Sequence, residues 1–271
     1  MIMDFTLALV TGATSGLGEA MARLLASKKI PLLITGRNSD KLQSLRGELQ
    51  RQVHVQTIQA DLETAEGRKA VVDAIHSHAP DLVINSAGFG VYGDVLMNET
   101  DTQLKMIDVD VRALIELSIE AARTLATLGK KGTILNIASA AAFPVFPGFA
   151  VYSAAKACVV QFSESFNAEL KSLGIRVLAA CPGVVPTNFR ERTQGAVKVP
   201  INGLDIIPLE DAVQEMWKQI TTGQSVRIIN WYYRFNIFLV KYLIPKALLI
   251  PLIHKNMQKI RPPTPIIKIK Q

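Results

Sequence analysis

The stretch "FTLALVTGATSGLGEAMARLL" (residues 5–25) decides the fold. An apolar, strand-like run at 5–10 enters a loop carrying three glycines, and beyond it the apolar residues recur at helical spacing. A strand, a glycine-rich turn and a helix in that order open a βαβ unit. Within "TGATSGLG" (11–18), Gly12 permits the tight turn, Gly16 lets backbone approach a bound group, and Gly18 allows the helix to pack closely on the strand. Thr14, Ser15 and Leu17 fill the same loop. The helix N-terminus favours an anion, so the loop fits the pyrophosphate of a dinucleotide.

Outward from this loop, apolar runs and helix-period segments alternate, the pattern of a parallel sheet. Strands are predicted at 5–10, 31–35, 53–59, 82–85, 132–138, 175–182 and 226–229, and helices near 16–28, 39–51, 65–77, 101–128, 150–172 and 209–221. The expected architecture is α/β: a Rossmann-type, doubly wound parallel sheet of about seven strands with helices on both faces. Residues 1–229 read as one such domain, and 230–271 as an apolar, basic C-terminal extension.

The chain has 271 residues, 49% hydrophobic and 20% charged, ample for a large core and contrary to disorder. Its two cysteines, Cys158 and Cys181, form no disulfide framework or metal-ligand spacing, and no signal peptide is apparent at the start. A reducing, cytoplasmic setting follows as the expectation. The net charge of +7 is unevenly spread. After Glu215 there are ten Lys or Arg and no Asp or Glu, which leaves 20 basic against 23 acidic residues in positions 1–215. The excess positive charge therefore lies in the tail and calls for an anionic partner there.

The end of the second strand bears on which dinucleotide is bound. "LLITGRNSDKL" places Arg37 immediately past the strand and no carboxylate before Asp40. A basic residue here accepts a ribose 2′-phosphate, so NADP(H) is favoured over NAD(H). In "VYSAAKA" (151–157), Tyr152 and Lys156 lie four apart on a predicted helix and share one face. A nearby ammonium favours the phenolate and lowers a tyrosine pKa, which makes Tyr152 a proton donor or acceptor.

Order and spacing join these pieces. "NSAG" (85–88) ends the fourth strand, Ser139 follows the fifth, Tyr152 comes thirteen residues later with Lys156 behind it, and "PGVVPT" (182–187) ends the sixth. The combination resembles the short-chain dehydrogenase/reductase superfamily, in its shorter branch, over about residues 5–229. The resemblance implies that Tyr152 is the general acid/base, that Lys156 tunes it and binds the nicotinamide ribose, and that Ser139 hydrogen-bonds the substrate oxygen. It implies Asp61 beside the adenine, Asn85, Ala87 and Gly88 along the ribose, and Pro182, Gly183 and Thr187 in the loop closing over the nicotinamide. In this reading hydride passes between the nicotinamide and a CH–OH/C=O carbon while Tyr152 handles the proton. One position departs from the pattern: the family's asparagine in the fourth helix is Asp110 here, in "DVRA", which puts the proton relay from the lysine in doubt.

Phe89, Tyr92, Phe143, Phe146 and Phe149 would give the substrate mouth apolar walls. Residues 188–205, with Arg190 and Arg192, read as a lid. In the tail, 230–253 is apolar but broken by Arg234, Lys241, Pro245, Lys246 and Pro251, with no run long enough to span a bilayer. Trp231, Tyr232 and Tyr233 among regularly placed cations suit an interfacial helix or helical hairpin on anionic lipid. The expectation is an NADP(H)-dependent oxidoreductase of a lipophilic carbonyl or alcohol (fatty-acyl, steroid-like or other lipid), held peripherally at a membrane by its tail. Homodimers or homotetramers are common among the relatives, and no nucleic-acid motif is present. The alternative is a catalytically idle NADP(H)-binding module that meets a membrane or a protein partner.

Overall fold

The computed structural model describes residues 4–187, 189, 206–243 and 251. Strands β1 (Ala8–Val10), β2 (Leu32–Gly36), β3 (Val55–Gln59), β4 (Leu82–Asn85), β5 (Gly132–Ile137), β6 (Ile175–Cys181) and β7 (Val226–Ile228) form one sheet in the order β3-β2-β1-β4-β5-β6-β7. Every pairing is parallel. The chain moves outward in one direction through β2 and β3, then returns to the other side of β1 with β4. At that reversal the loops after β1 and β4 diverge and open a crevice at the carboxyl ends of the strands.

Because both faces are covered, the strands read as nearly continuous apolar runs. Alternation along β1 shows the sorting: Ala8 and Val10 join one core layer and Leu9 the other. The first layer is completed by α1 (Gly16–Ser27), α2 (Ser39–Leu49) and α7 (Leu209–Thr222), through residues such as Met21, Leu25, Leu42, Met216 and Ile220. The second receives Val71 and Ile75 of α3 (Ala65–His78) and Leu117 and Ala121 of α5 (Leu114–Thr127). Local signals mark the helix starts: Asn38 accepts the Lys41 N–H at 2.8 Å, and Thr64 the Gly67 N–H at 3.0 Å.

Three differences from the sequence reading bear on the site. β1 begins at Ala8 rather than Phe5, although Phe5 is still buried and meets Trp217 edge-on. The helix expected over 101–128 is divided into α4 (Thr100–Ile107), a π-helical turn (Asp108–Ala113) and α5. A π turn bulges the backbone by one residue, and Asp110 lies within it. Beyond β7, α8 (Trp231–Phe238) packs back on the sheet through Tyr233 and Ile237, and a π-helical segment (Leu239–Leu243) continues it. No helix among the described residues is long and apolar enough to cross a membrane. Most of the lid, including Arg190 and Arg192, and most of the tail beyond 243 lie outside the described residues.

Candidate active site

The phosphate loop is fixed by close backbone approaches. Gly12 has φ +65°, and a Cβ there would stand 2.8 Å from the Ala87 Cα. A Cβ on Gly18 would stand 2.5 Å from the Gly12 carbonyl oxygen, so only glycine lets α1 start this close to β1. Thr11, buried, accepts the N–H groups of Ser86 and Ala87 at 3.0 Å each and ties the loops on the two sides of the crevice together. Ser15 precedes α1 without a side-chain cap bond, so the first amides of the helix are left to an anion. Thr187 faces this loop from the β6 side: a Cβ on Gly16 would lie 3.2 Å from the Thr187 Cβ. Leu17 packs on the core, and Thr14 packs against Gly36 at the end of β2. Next to Gly36, Arg37 is 60% exposed with its Nη1 3.8 Å from Asp61 Oδ2. These features fit a dinucleotide: glycines and helix amides for the pyrophosphate, and an exposed guanidinium beside Asp61 at the distal end.

At the other end of the crevice α6 (Ala150–Glu169) carries Tyr152 and Lys156 on its buried face, as their spacing predicts. The Lys156 Nζ donates to the Ile137 carbonyl at 3.1 Å, lies 2.9 Å from Asp110 Oδ2 and stands 5.7 Å from the Tyr152 ring centroid. Asp110 is wholly buried and accepts the Phe89 N–H through Oδ1 at 3.0 Å. Its carboxylate thus links α6 to the loop after β4, and Gly88 is crowded by it: a Cβ there would meet Oδ1 at 2.8 Å. Ser139, just past β5, accepts the Ala141 N–H at 3.1 Å, and its hydroxyl is near enough to Tyr152 to favour the phenolate. Around Tyr152 the walls are aromatic, with Phe149 at 5.1 Å and Phe189 at 5.8 Å between ring centroids, and Tyr92 tilted against Phe149 at 4.6 Å.

The acidity of Tyr152 differs from the sequence expectation. Burial is the largest influence and pushes the phenol above the ordinary tyrosine value. Lys156 and the Ser139 hydroxyl pull it down as expected, but the Asp110 carboxylate adds to the rise, and the net direction is upward. Burial opposes the charge of Lys156, yet its attraction to Asp110 and Tyr152 outweighs this and raises the ammonium above the usual lysine range. Burial likewise raises the Asp110 carboxyl, against the pull of Lys156 and the Phe89 N–H. Cys181, at the end of β6, is pushed up to about 12 by burial and is inert as a nucleophile.

Asn85 faces away from the crevice. Its Nδ2 donates to Ser118 Oγ at 3.0 Å and Asn136 Oδ1 at 2.9 Å. Asn136 in turn donates to Ser163 Oγ at 3.0 Å, completing a buried polar chain from β4 and α5 through β5 to α6. The Asn85 amide nitrogen is thus used within this buried chain, while its Oδ1 is buried without a hydrogen-bond partner. Ser118, Asn136 and Ser163 were not singled out from the sequence, although an asparagine inside the apolar run "GTILNIA" is the signal that would have found them. Thr11 was missed in the same way.

The short chain dehydrogenase family matches residues 6–197, and the chain belongs to it. It is accordingly an oxidoreductase of CH–OH/C=O groups that works with a nicotinamide dinucleotide. A sulfoacetaldehyde reductase of Chromohalobacter salexigens is 32% identical over 219 residues, 77% of this chain and 85% of that protein. Among solved structures, a short-chain dehydrogenase from Sphingobium yanoikuyae in complex with NADPH superimposes with a TM-score of 0.78 at 24% identity, over 96% of this chain and 98% of that one. The bulky-bulky ketone specific alcohol dehydrogenase of Comamonas testosteroni gives a TM-score of 0.76 at 23% identity, over 99% and 100%.

Proposed function

We propose that the protein is an NADP(H)-dependent reductase that converts a carbonyl bearing an apolar group into the alcohol, with Tyr152 as its general acid. The observation that carries this reading is Tyr152 held between the Ser139 hydroxyl and the Lys156 ammonium, inside aromatic walls, at one end of the crevice whose other end is the glycine loop. Ser139 orients the substrate oxygen, Tyr152 donates the proton to it, and Lys156 holds the nicotinamide ribose. The cofactor supplies the hydride. The loop residues Gly12, Thr14, Ser15, Gly16, Leu17 and Gly18 hold the pyrophosphate, with Ala87, Gly88, Pro182, Gly183 and Thr187 along the nicotinamide half. Asp61 sits by the adenine, and Arg37 takes the 2′-phosphate. A phenol held protonated through neutral pH is the form that gives up a proton, which favours reduction as the working direction.

The sulfoacetaldehyde named for one relative is anionic, whereas the rings against Tyr152 are Phe149 and Phe189, with Tyr92 behind Phe149, and the nearby Lys156 is engaged with Asp110. These walls support an apolar substrate group, such as an acyl chain or a ring system. NADPH oxidation, followed over aldehydes and ketones of increasing chain length, tests the reading: kcat/KM rises with apolar size and NADPH outperforms NADH. Faster turnover of sulfoacetaldehyde than of any apolar ketone, or a preference for NADH, overturns it.

Membrane attachment is part of the same reading. Trp231, Phe235, Phe238 and Tyr242 recur at helical spacing and are all exposed, Trp231 at 67%, on a tail whose residues 230–271 include eight Lys or Arg and no Asp or Glu. Flotation with vesicles containing phosphatidylserine should carry the protein upward, and Trp231→Ala with Phe235→Ala should leave it at the bottom. Equal recovery of wild type and variant would reject the tail as the anchor.

A further inference from the structure

The loop after β6 runs between the two ends of the crevice. The Pro182 carbonyl accepts the Ala140 N–H at 2.8 Å, beside Ser139, and Thr187 abuts Gly16 of the phosphate loop. Between these ends the loop is held from outside. The Val184 carbonyl accepts the Ile207 N–H at 2.8 Å, and its N–H donates to the Tyr233 hydroxyl at 2.9 Å. The Tyr233 ring lies flush on Gly183: a Cβ there would stand 2.1 Å from ring carbons Cε2 and Cζ. Gly183 is thus required by the side chain that covers it.

Tyr233 is itself rigidly supported. Ile229 donates to the Cys181 carbonyl at 3.0 Å. Asn230, at φ +75°, caps α8 by accepting the Tyr232 N–H at 2.8 Å, and its own N–H donates to Glu215 Oε1 at 3.3 Å. Glu215 is also paired with Arg227 at 3.0 Å. The first turn of α8 is therefore anchored on β6, β7 and α7 together, and Tyr233 projects from it onto the loop.

We propose that Tyr233 is a positioning residue for the dinucleotide crevice: from the C-terminal helix it clamps the 182–187 loop in the shape that spans Ser139 and the phosphate loop. This rests on the oxidoreductase reading of the crevice. Tyr233→Phe keeps the ring over Gly183 and removes the hydroxyl that accepts the Val184 N–H. Losing one such bond loosens the loop, so the Kd and KM for NADPH rise about 3- to 10-fold while kcat stays within about twofold. Kd is read by NADPH fluorescence titration and KM by initial rates. A second comparison uses the glycine. Gly183→Ala collides with the ring and weakens NADPH binding, and adding Tyr233→Ala removes the collision and recovers part of the loss, a non-additivity expected only of groups in contact. Unchanged NADPH affinity in Tyr233→Phe, or a double variant no better than Gly183→Ala, overturns the clamp. A wild type that binds no NADPH rejects the reading of the crevice itself, whereas tight wild-type binding with an unaffected Tyr233→Phe rejects the clamp alone.

Discussion

Replacing Tyr152 with Phe lowers turnover by roughly 10²- to 10⁴-fold, the usual contribution of a positioned general acid, while NADPH binding stays close to wild type. The substitution removes one oxygen and keeps the ring, so the packing against Phe149 and Phe189 survives and the loss is chemical. The pH dependence follows from the same environment. Burial and Asp110 hold the phenol protonated above the ordinary tyrosine range, so the reduction rate stays level through neutral pH and falls only in strong alkali. The reverse reaction, which needs the phenolate, climbs with pH over the same interval. Steady-state rates in both directions, with a titration of NADPH onto the variant, provide the check. A Tyr152→Phe enzyme retaining a tenth of wild-type kcat would mean that another acid protonates the substrate.

Asp110→Ala is expected to cost about 3–5 kcal/mol of stability, because it leaves the Lys156 ammonium buried with only the Ile137 carbonyl as a hydrogen-bond acceptor. Asp110→Asn should cost less, since an amide oxygen can still accept from Lys156 or from the Phe89 N–H. The pair's two members pull in opposite senses. The raised carboxyl of Asp110 marks its burial as a cost at neutral pH, and the raised ammonium of Lys156 marks the pairing as a gain. The gain governs the variant, since truncation keeps the buried cation and discards its counter-charge. Stability from a raised lysine is fully present below its ordinary 10.5 and is lost as pH rises through the folded value. The part of the Asp110→Ala deficit that comes from Lys156 therefore persists through neutral pH and is lost only above that point. Urea unfolding at several pH values measures it, and a variant as stable as wild type would show that Lys156 finds another partner.

Most of the architecture was legible because the central strands are buried on two faces and the crossover helices keep their own period. The residues of the crevice were legible for a different reason: glycines forced by close backbone approach, and a Tyr–Lys pair one helical turn apart, leave a spacing that survives in one dimension. What was hidden depends on direction or depth. The π turn around Asp110 changes hydrogen-bond register without disturbing the apolar period. Asn85 stands at the right place in the chain, but the strand turns its amide toward Ser118 and Asn136. Tyr233 sits in a run of aromatics that reads as one outward face, and only the phase of α8 separates it from Trp231 and Phe235. The upward shift of Tyr152 comes from burial, which spacing alone does not reveal.

The strand order also constrains how the protein is made. β1 is made before β4, yet one of its two flanks pairs with β4, whose Leu82 aligns with Ala8. At about 5–20 residues per second, that flank waits several seconds for its partner. During this interval the nascent β1–β3 unit offers an open, apolar sheet border that other chains can pair with.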